Sequence, residues 1–245
     1  MSSTPQKVAL VTGGAVRLGR ALSLGLAEAN YEVAVHYHRS ATQAHEVEQR
    51  IAELGCRGTL VSADLTDPAG VEEVAGHVRE RHGRLDLLVN SAASFEEADL
   101  LDIDAGAWDE VMALNLRAPF LLVRETASLL RASRGAVVNI LDLGALEPWT
   151  RHPHHAVSKA GLLHLTRILA RVLAPEVRVN AVVPGSLLPP AGSDSEAAER
   201  DRRRIPLARL GSPEDLVGAV LFLAGAPFVT GEVLVVDGGR RLRGD

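Results

Sequence analysis

Short runs of Val, Leu and Ala alternate along this chain with longer stretches whose apolar residues recur at helical spacing, and this alternation constrains the fold more than any other feature. Strands are expected at 8–12, 32–37, 58–63, 85–90, 136–141, 177–183 and 233–236. Their apolar residues fall on both faces, as in a parallel sheet covered by helices on each side. Helical periodicity marks 18–29, 42–54, 68–81, 105–131, 155–173 and 213–223. With right-handed crossovers these elements make an α/β chain with one doubly wound, Rossmann-type parallel sheet of seven strands and helices on both faces. No linker divides the 245 residues, so a single domain is expected over 1–245, with a flexible tail at 1–6. The stretch 185–204 is rich in Pro, Ser and charge and follows the carboxyl end of a strand, where such sheets bind ligands, and it is read as a substrate lid.

Composition removes several functions. A net charge of −5 argues against a nucleic-acid binder that relies on a basic face. No stretch reaches the ~20 apolar residues of a membrane helix. The polar opening MSSTPQ lacks the pattern of a secretory signal, and the single cysteine, Cys56, forbids an intrachain disulfide, so a cytoplasmic protein is expected. Of 26 basic residues only Lys7 and Lys159 are lysine, a bias that isolates Lys159.

The first strand runs into Thr12-Gly13-Gly14-Ala15-Val16-Arg17-Leu18-Gly19-Arg20 and then a helix. Glycines allow a tight turn and close backbone approach, and the helix start offers unpaired N–H groups to a phosphate. The spacing is not G-x-G-x-x-G. It resembles the T-G-x-x-x-G-x-G turn of the short-chain dehydrogenase/reductase family, with Arg17 at the middle glycine's place. The second strand ends in His36-Tyr37-His38-Arg39-Ser40, with no carboxylate to accept a ribose 2′-hydroxyl or repel a 2′-phosphate. Arg39, Ser40 and Arg17 suit that phosphate, so NADP(H) is the expected cofactor. The resemblance further implies cofactor contacts from Gly13, Leu18, Gly19, His38, Asp64, Leu65, Asn90, Ala92, Lys159, Pro184 and Gly185.

It covers nearly the whole chain, including Asn115, position 142, Lys159, Pro184-Gly185 and the Val-Asp-Gly-Gly at 236–239. The family's active site is an Asn, Ser, Tyr and Lys set, with the last two written Y-x-x-x-K so that both share one helix face. Here the set reads Asn115, Asp142, His155 and Lys159. By resemblance, Asn115 holds helix geometry and a relay water, and Lys159 binds ribose hydroxyls. Asp for Ser is similar to the pteridine reductase branch, as are Arg-Leu-Gly-Arg in the turn, His-Tyr-His-Arg-Ser, and Ser94-Phe95, whose aromatic would stack on a pterin. The missing tyrosine has no substitute, because Tyr31 and Tyr37 both lie near the second strand. A phenol, with pKa about 10, is a ready acid at neutral pH, whereas an imidazolium, at about 6.5, is mostly deprotonated. A nearby ammonium disfavours the imidazolium and a nearby carboxylate favours it, so the arrangement of Asp142 and Lys159 around His155 decides whether it can give a proton.

No metal is expected: the run His152-Pro153-His154-His155 is too tight for one face and lacks acidic neighbours. Arg202 to Arg204 could meet an anionic substrate or form a solvated lid. The family resemblance implies a homodimer or homotetramer. Three functions stay open: NADPH-dependent reduction of a pterin-like or other small carbonyl or imine substrate, 3-oxoacyl-carrier-protein reduction, and nucleotide binding with weak catalysis.

Overall fold

The computed structural model describes residues 6–187, 199 and 202–242. Its strands are β1 (Lys7–Val11), β2 (Tyr31–Tyr37), β3 (Gly58–Ser62), β4 (Leu87–Asn90), β5 (Ala136–Ile140), β6 (Arg178–Pro184) and β7 (Val233–Val236). They form one seven-stranded sheet in the order β3-β2-β1-β4-β5-β6-β7, every neighbouring pair parallel. The helices are α1 (Arg17–Glu28), α2 (Ala41–Glu53), α3 (Pro68–Arg81), α4 (Ala105–Met112), α5 (Ala118–Ser133), α6 (Pro153–Val172) and α7 (Pro213–Gly225).

Period-two alternation sends successive strand residues to opposite layers. Val8 and Leu10 pack with Val71, Val74 and Leu122 of α3 and α5. Ala9 and Val11 pack with Leu22, Leu26 and Leu216 of α1 and α7. The strand order reverses between β1 and β4, so their carboxyl ends splay apart into the crevice where doubly wound sheets take ligands.

The structure corrects some expectations. The helix read over 105–131 is interrupted: α4 and α5 are joined by a π-helical turn at Ala113–Arg117. α6 begins at Pro153 instead of 155, because proline fits a helix's first position, and this moves His155 into the first turn. Gln6, read as part of a flexible tail, bonds through its amide to the Asn30 side chain at 3.1 Å; residues 1–5 lie outside the described residues. Most of the lid read at 185–204 lies outside them as well. Of its basic residues, Arg202 and Arg203 pair with Glu199.

The outer strand β3 is pinned to β2 and α3 by side chains. His82 Nδ1 donates to Glu32 Oε2 at 3.1 Å, the Thr59 hydroxyl donates to His82 Nε2 at 2.9 Å, and His77 Nε2 donates to Thr59 at 3.0 Å. Burial lowers the pKa of both histidines. Among the described residues no helix is long and apolar enough to cross a membrane.

Candidate active site

The glycine turn sits at the crevice because β1 ends there. Gly13 has φ +62, and a Cβ on it would stand 3.0 Å from Ala92 Cα; a Cβ on Gly19 would lie 2.0 Å from Gly13 O. Only glycine lets the turn close on itself at that point. Helix α1 opens with Val16 as its N-cap, which offers no side-chain bond to the first-turn N–H groups. Those donors remain open to an anion, and Arg17, exposed with φ +49, projects beside them. A cavity of about 290 Å³ continues from Gly13, Ala15 and Val16 to His38, Arg39, Ser40 and Asp64. The uncapped helix start and the glycine cradle fit a phosphate-bearing dinucleotide, and Arg39 stands in the cavity lining beside Ser40, with Asp64, Glu96 and Glu110 also along it.

Other expected cofactor residues divide. Asp64 is exposed in this cavity, 3.9 Å from His38 Nε2, and its bonds from the Thr66 hydroxyl and N–H lower its pKa. Leu65 and Leu18 face the apolar layers instead. The Asn90 side chain turns inward and donates to Asn139 Oδ1 at 2.8 Å, so only its main chain borders the crevice. Ala92 N–H and Ser91 N–H both donate to Thr12 Oγ1, at 3.0 and 2.9 Å, locking the β4 loop onto the turn. Pro184 ends β6, and Gly185 lets that strand lie against Asp237, which a Cβ would meet at 2.7 Å.

His155 lies against both Asp142 and Asn115, and the Asp142 charge acts on Lys159. Lys159 is buried; its Nζ donates to Ile140 O at 2.7 Å. Burial pushes its ammonium down to about 8, with the Asp142 charge offsetting part of that loss. His155 Nδ1 lies 2.6 Å from Ser94 O and 3.3 Å from Asn115 Nδ2; the carbonyl is the closer and can only accept, so Nδ1 is assigned the hydrogen. His155 Nε2 meets Asp142 Oδ2. A hydrogen bond at this contact needs one hydrogen between the ring nitrogen and the carboxylate oxygen. Both ring nitrogens are engaged and the ring is 2% exposed. The Asp142 side chain is 18% exposed, while its Oδ1 is enclosed without a partner.

Asn115 is more constrained than expected. Its Oδ1 accepts from Ser94 N–H at 2.9 Å, while Nδ2 donates to Ser94 O at 3.1 Å and Ser158 Oγ at 3.0 Å. It clamps the Ser94 backbone, and through Ser94 O it fixes the tautomer of His155. The π turn brings it there.

Phe95 is 57% exposed, but one face is stacked on His152, ring centroids 4.0 Å apart. It meets His155 edge-on at 4.8 Å and Trp149 at 6.2 Å. The sequence reading missed His152 and Trp149 as parts of this aromatic wall. It also missed His36, whose ring accepts the Gly13 N–H. Among the described residues no group of three or more His, Cys, Asp or Glu could hold a metal.

The family model described as Enoyl-(Acyl carrier protein) reductase matches residues 14–241. The chain is 30% identical to a double-mutant short-chain dehydrogenase/reductase of Serratia marcescens, covering 96% of this chain and 97% of that one, with a TM-score of 0.89. The chain belongs to the short-chain dehydrogenase/reductase family. This short-chain dehydrogenase/reductase is also 35% identical over 240 residues to the 3-oxoacyl-[acyl-carrier-protein] reductase of Staphylococcus aureus, covering 95% of this chain and 97% of that protein. It superposes with a TM-score of 0.88 on a blue fluorescent protein from a metagenomic library solved in complex with NADPH, at 32% identity, covering 96% of this chain and 97% of that one.

Proposed function

We propose that this short-chain dehydrogenase/reductase is an NADPH-dependent reductase of a small carbonyl or imine substrate in which Asp142 and His155 do the proton work usually left to a phenol. The observation that carries this reading is the contact of His155 Nε2 with Asp142 Oδ2, with Ser94 O at Nδ1 and the buried Lys159 within reach of the Asp142 charge. The NADPH complex of a 32% identical neighbour supports the choice of cofactor. When bound, NADPH supplies a hydride. The turn at Gly13, Arg17, Leu18 and Gly19 would hold its pyrophosphate, and His38, Arg39 and Ser40 its 2′-phosphate. Asp64 and the backbone of Leu65 would border the adenine. Asn90, Ala92, Pro184 and Gly185 would line the remainder through backbone, with Lys159 on the ribose hydroxyls.

Asp142 is the contacting acid in this scheme, because the imidazole has no free N–H. The proton at Oδ2 passes to the anion developing on the substrate oxygen or nitrogen, which leaves a carboxylate facing a neutral imidazole. His155 is the positioning and proton-holding partner, oriented by Ser94 O and Asn115. Lys159 adds positive charge next to the carboxylate. The open edge of Phe95 with Trp149 favours a planar, pterin-like ring. The 35% identity to a 3-oxoacyl-[acyl-carrier-protein] reductase favours an acyl ketone instead.

The test is NADPH oxidation with dihydropterin, dihydrofolate, quinone and acetoacetyl substrates over about pH 5 to 8, the range in which an imidazole changes charge. Consumption with any of these supports the reductase, and the preferred substrate separates the two classes. NADPH binding with no consumption by parent or His155→Tyr enzyme would leave a nucleotide-binding scaffold. A homodimer or homotetramer belongs to the same reading, supported by exposed Phe120, Ile168 and Val172 on α5 and α6, and is checked by molecular mass in solution.

A further inference from the structure

We infer that His36 is a positioning residue for the nucleotide, a strut on β2 that holds the phosphate turn against the adenine side of the crevice. This inference rests on the proposed NADPH reading. The ring is buried on β2, next in sequence to Tyr37 and His38 of the cavity lining, and is bonded at both nitrogens. Nε2 lies 3.0 Å from Ala63 O, an obligatory acceptor, so Nε2 carries the hydrogen. Nδ1 is therefore bare, and it accepts the Gly13 N–H at 3.1 Å. The next amide, Gly14 N–H, donates to His36 O at 2.8 Å. One residue thus fixes the first two N–H groups of the turn and links them to the residue preceding Asp64.

Core packing alone does not account for this arrangement. An apolar side chain at position 36 would fill the volume but take away the partner of the half-buried Gly13 N–H and of the Ala63 carbonyl. The ring also stays neutral: burial brings its pKa down to about 4, only partly offset by the Ala63 bond, so the accepting nitrogen persists at neutral pH. Gly13 is wedged from the other side by Ala92, and His36 sets the distance across the turn.

Two polar variants separate the ends of the strut. Asparagine places an acceptor where Nδ1 stands and loses the Ala63 link; glutamine reaches toward Ala63 and loses the Gly13 link. NADPH affinity is measured by fluorescence titration, thermal unfolding of the nucleotide-free protein checks folding, and kcat and KM for NADPH are read separately. His36→Asn is expected to bind NADPH within about threefold of the parent. His36→Gln is expected to weaken binding about 10- to 100-fold, with KM rising and kcat little changed, as loss of a buried hydrogen bond in the turn implies. Equal weakening in both variants, or a glutamine variant within twofold of the parent, overturns the inference while leaving the nucleotide reading intact. A parent that does not bind NADPH overturns both.

Discussion

Asp142→Asn separates the chemistry of the couple from its structural role. Ser94 O keeps hydrogen on His155 Nδ1, so in the variant a neutral ring presents a bare Nε2. The new amide can donate N–H to that nitrogen in nearly the same space. The charge-assisted bond is lost, and with it the cost of keeping a charge pair out of water; the two effects oppose each other, so stability is expected within about 1 kcal/mol of the parent. The transferable proton, however, is gone. Loss of a positioned acid typically costs 10²- to 10⁴-fold in rate, about 3 to 5 kcal/mol of barrier. Asp142→Ala behaves differently, because it leaves Nε2 without a partner and should destabilise by about 1–3 kcal/mol besides losing activity. Denaturant unfolding and saturated NADPH oxidation are measured on all three proteins. An asparagine variant that turns over within tenfold of the parent refutes Asp142 as the acid. One that unfolds as readily as the alanine variant refutes the tautomer argument.

Three further outcomes follow from burial and close approach. Lys159 has a folded pKa of about 8 against 10.5 for a free lysine, so the folded state sheds its proton first as pH rises. The stability of the parent relative to Lys159→Met should therefore climb between pH 8 and 10.5, by up to about 3 kcal/mol, in chemical denaturation series. His36, lowered from 6.5 to about 4, works at the acid end: the unfolded chain takes up the proton first, so stability is complete above pH 6.5 and falls toward pH 4, by up to about 3 kcal/mol. His77 and His82 act in the same direction, and His36→Asn should flatten the slope. A Cβ at position 19 would stand 2.0 Å from Gly13 O and 3.1 Å from Gly14 Cα, backbone atoms that cannot turn aside as a side chain can. Gly19→Ala should lose NADPH binding at least tenfold and about 1–3 kcal/mol of stability, checked by titration and melting.

The sheet could be read from the sequence because strands apolar on both faces leave few alternatives to a covered parallel layer, and every expected strand is present. The break in the long helix could not, since a π turn adds one residue without changing the local composition around Asn115. The neighbourhood of the site was legible as positions: helical spacing put His155 and Lys159 on one face, and the family resemblance put Asp142 beside them, where it touches His155. Their roles were not. Hydrogen placement on His155 depends on Ser94 O, 61 residues away in sequence, and no local pattern reports it. His36 was passed over for a related reason. In the run His36-Tyr37-His38-Arg39-Ser40 the exposed end suggests ligand chemistry, while strand alternation turns His36 inward, where a polar ring reads as core until its partners are known.

The π turn at Ala113–Arg117 also limits how this chain can change length. One residue of α-helix turns the chain by about 100°, so deleting a single residue there would restore regular winding and swing Asn115 away from the loop it grips. Ser94 O would lose the amide that steadies it, and the His155 ring would lose its fixed orientation. Length variation should therefore be tolerated in surface connections and rejected within these five residues.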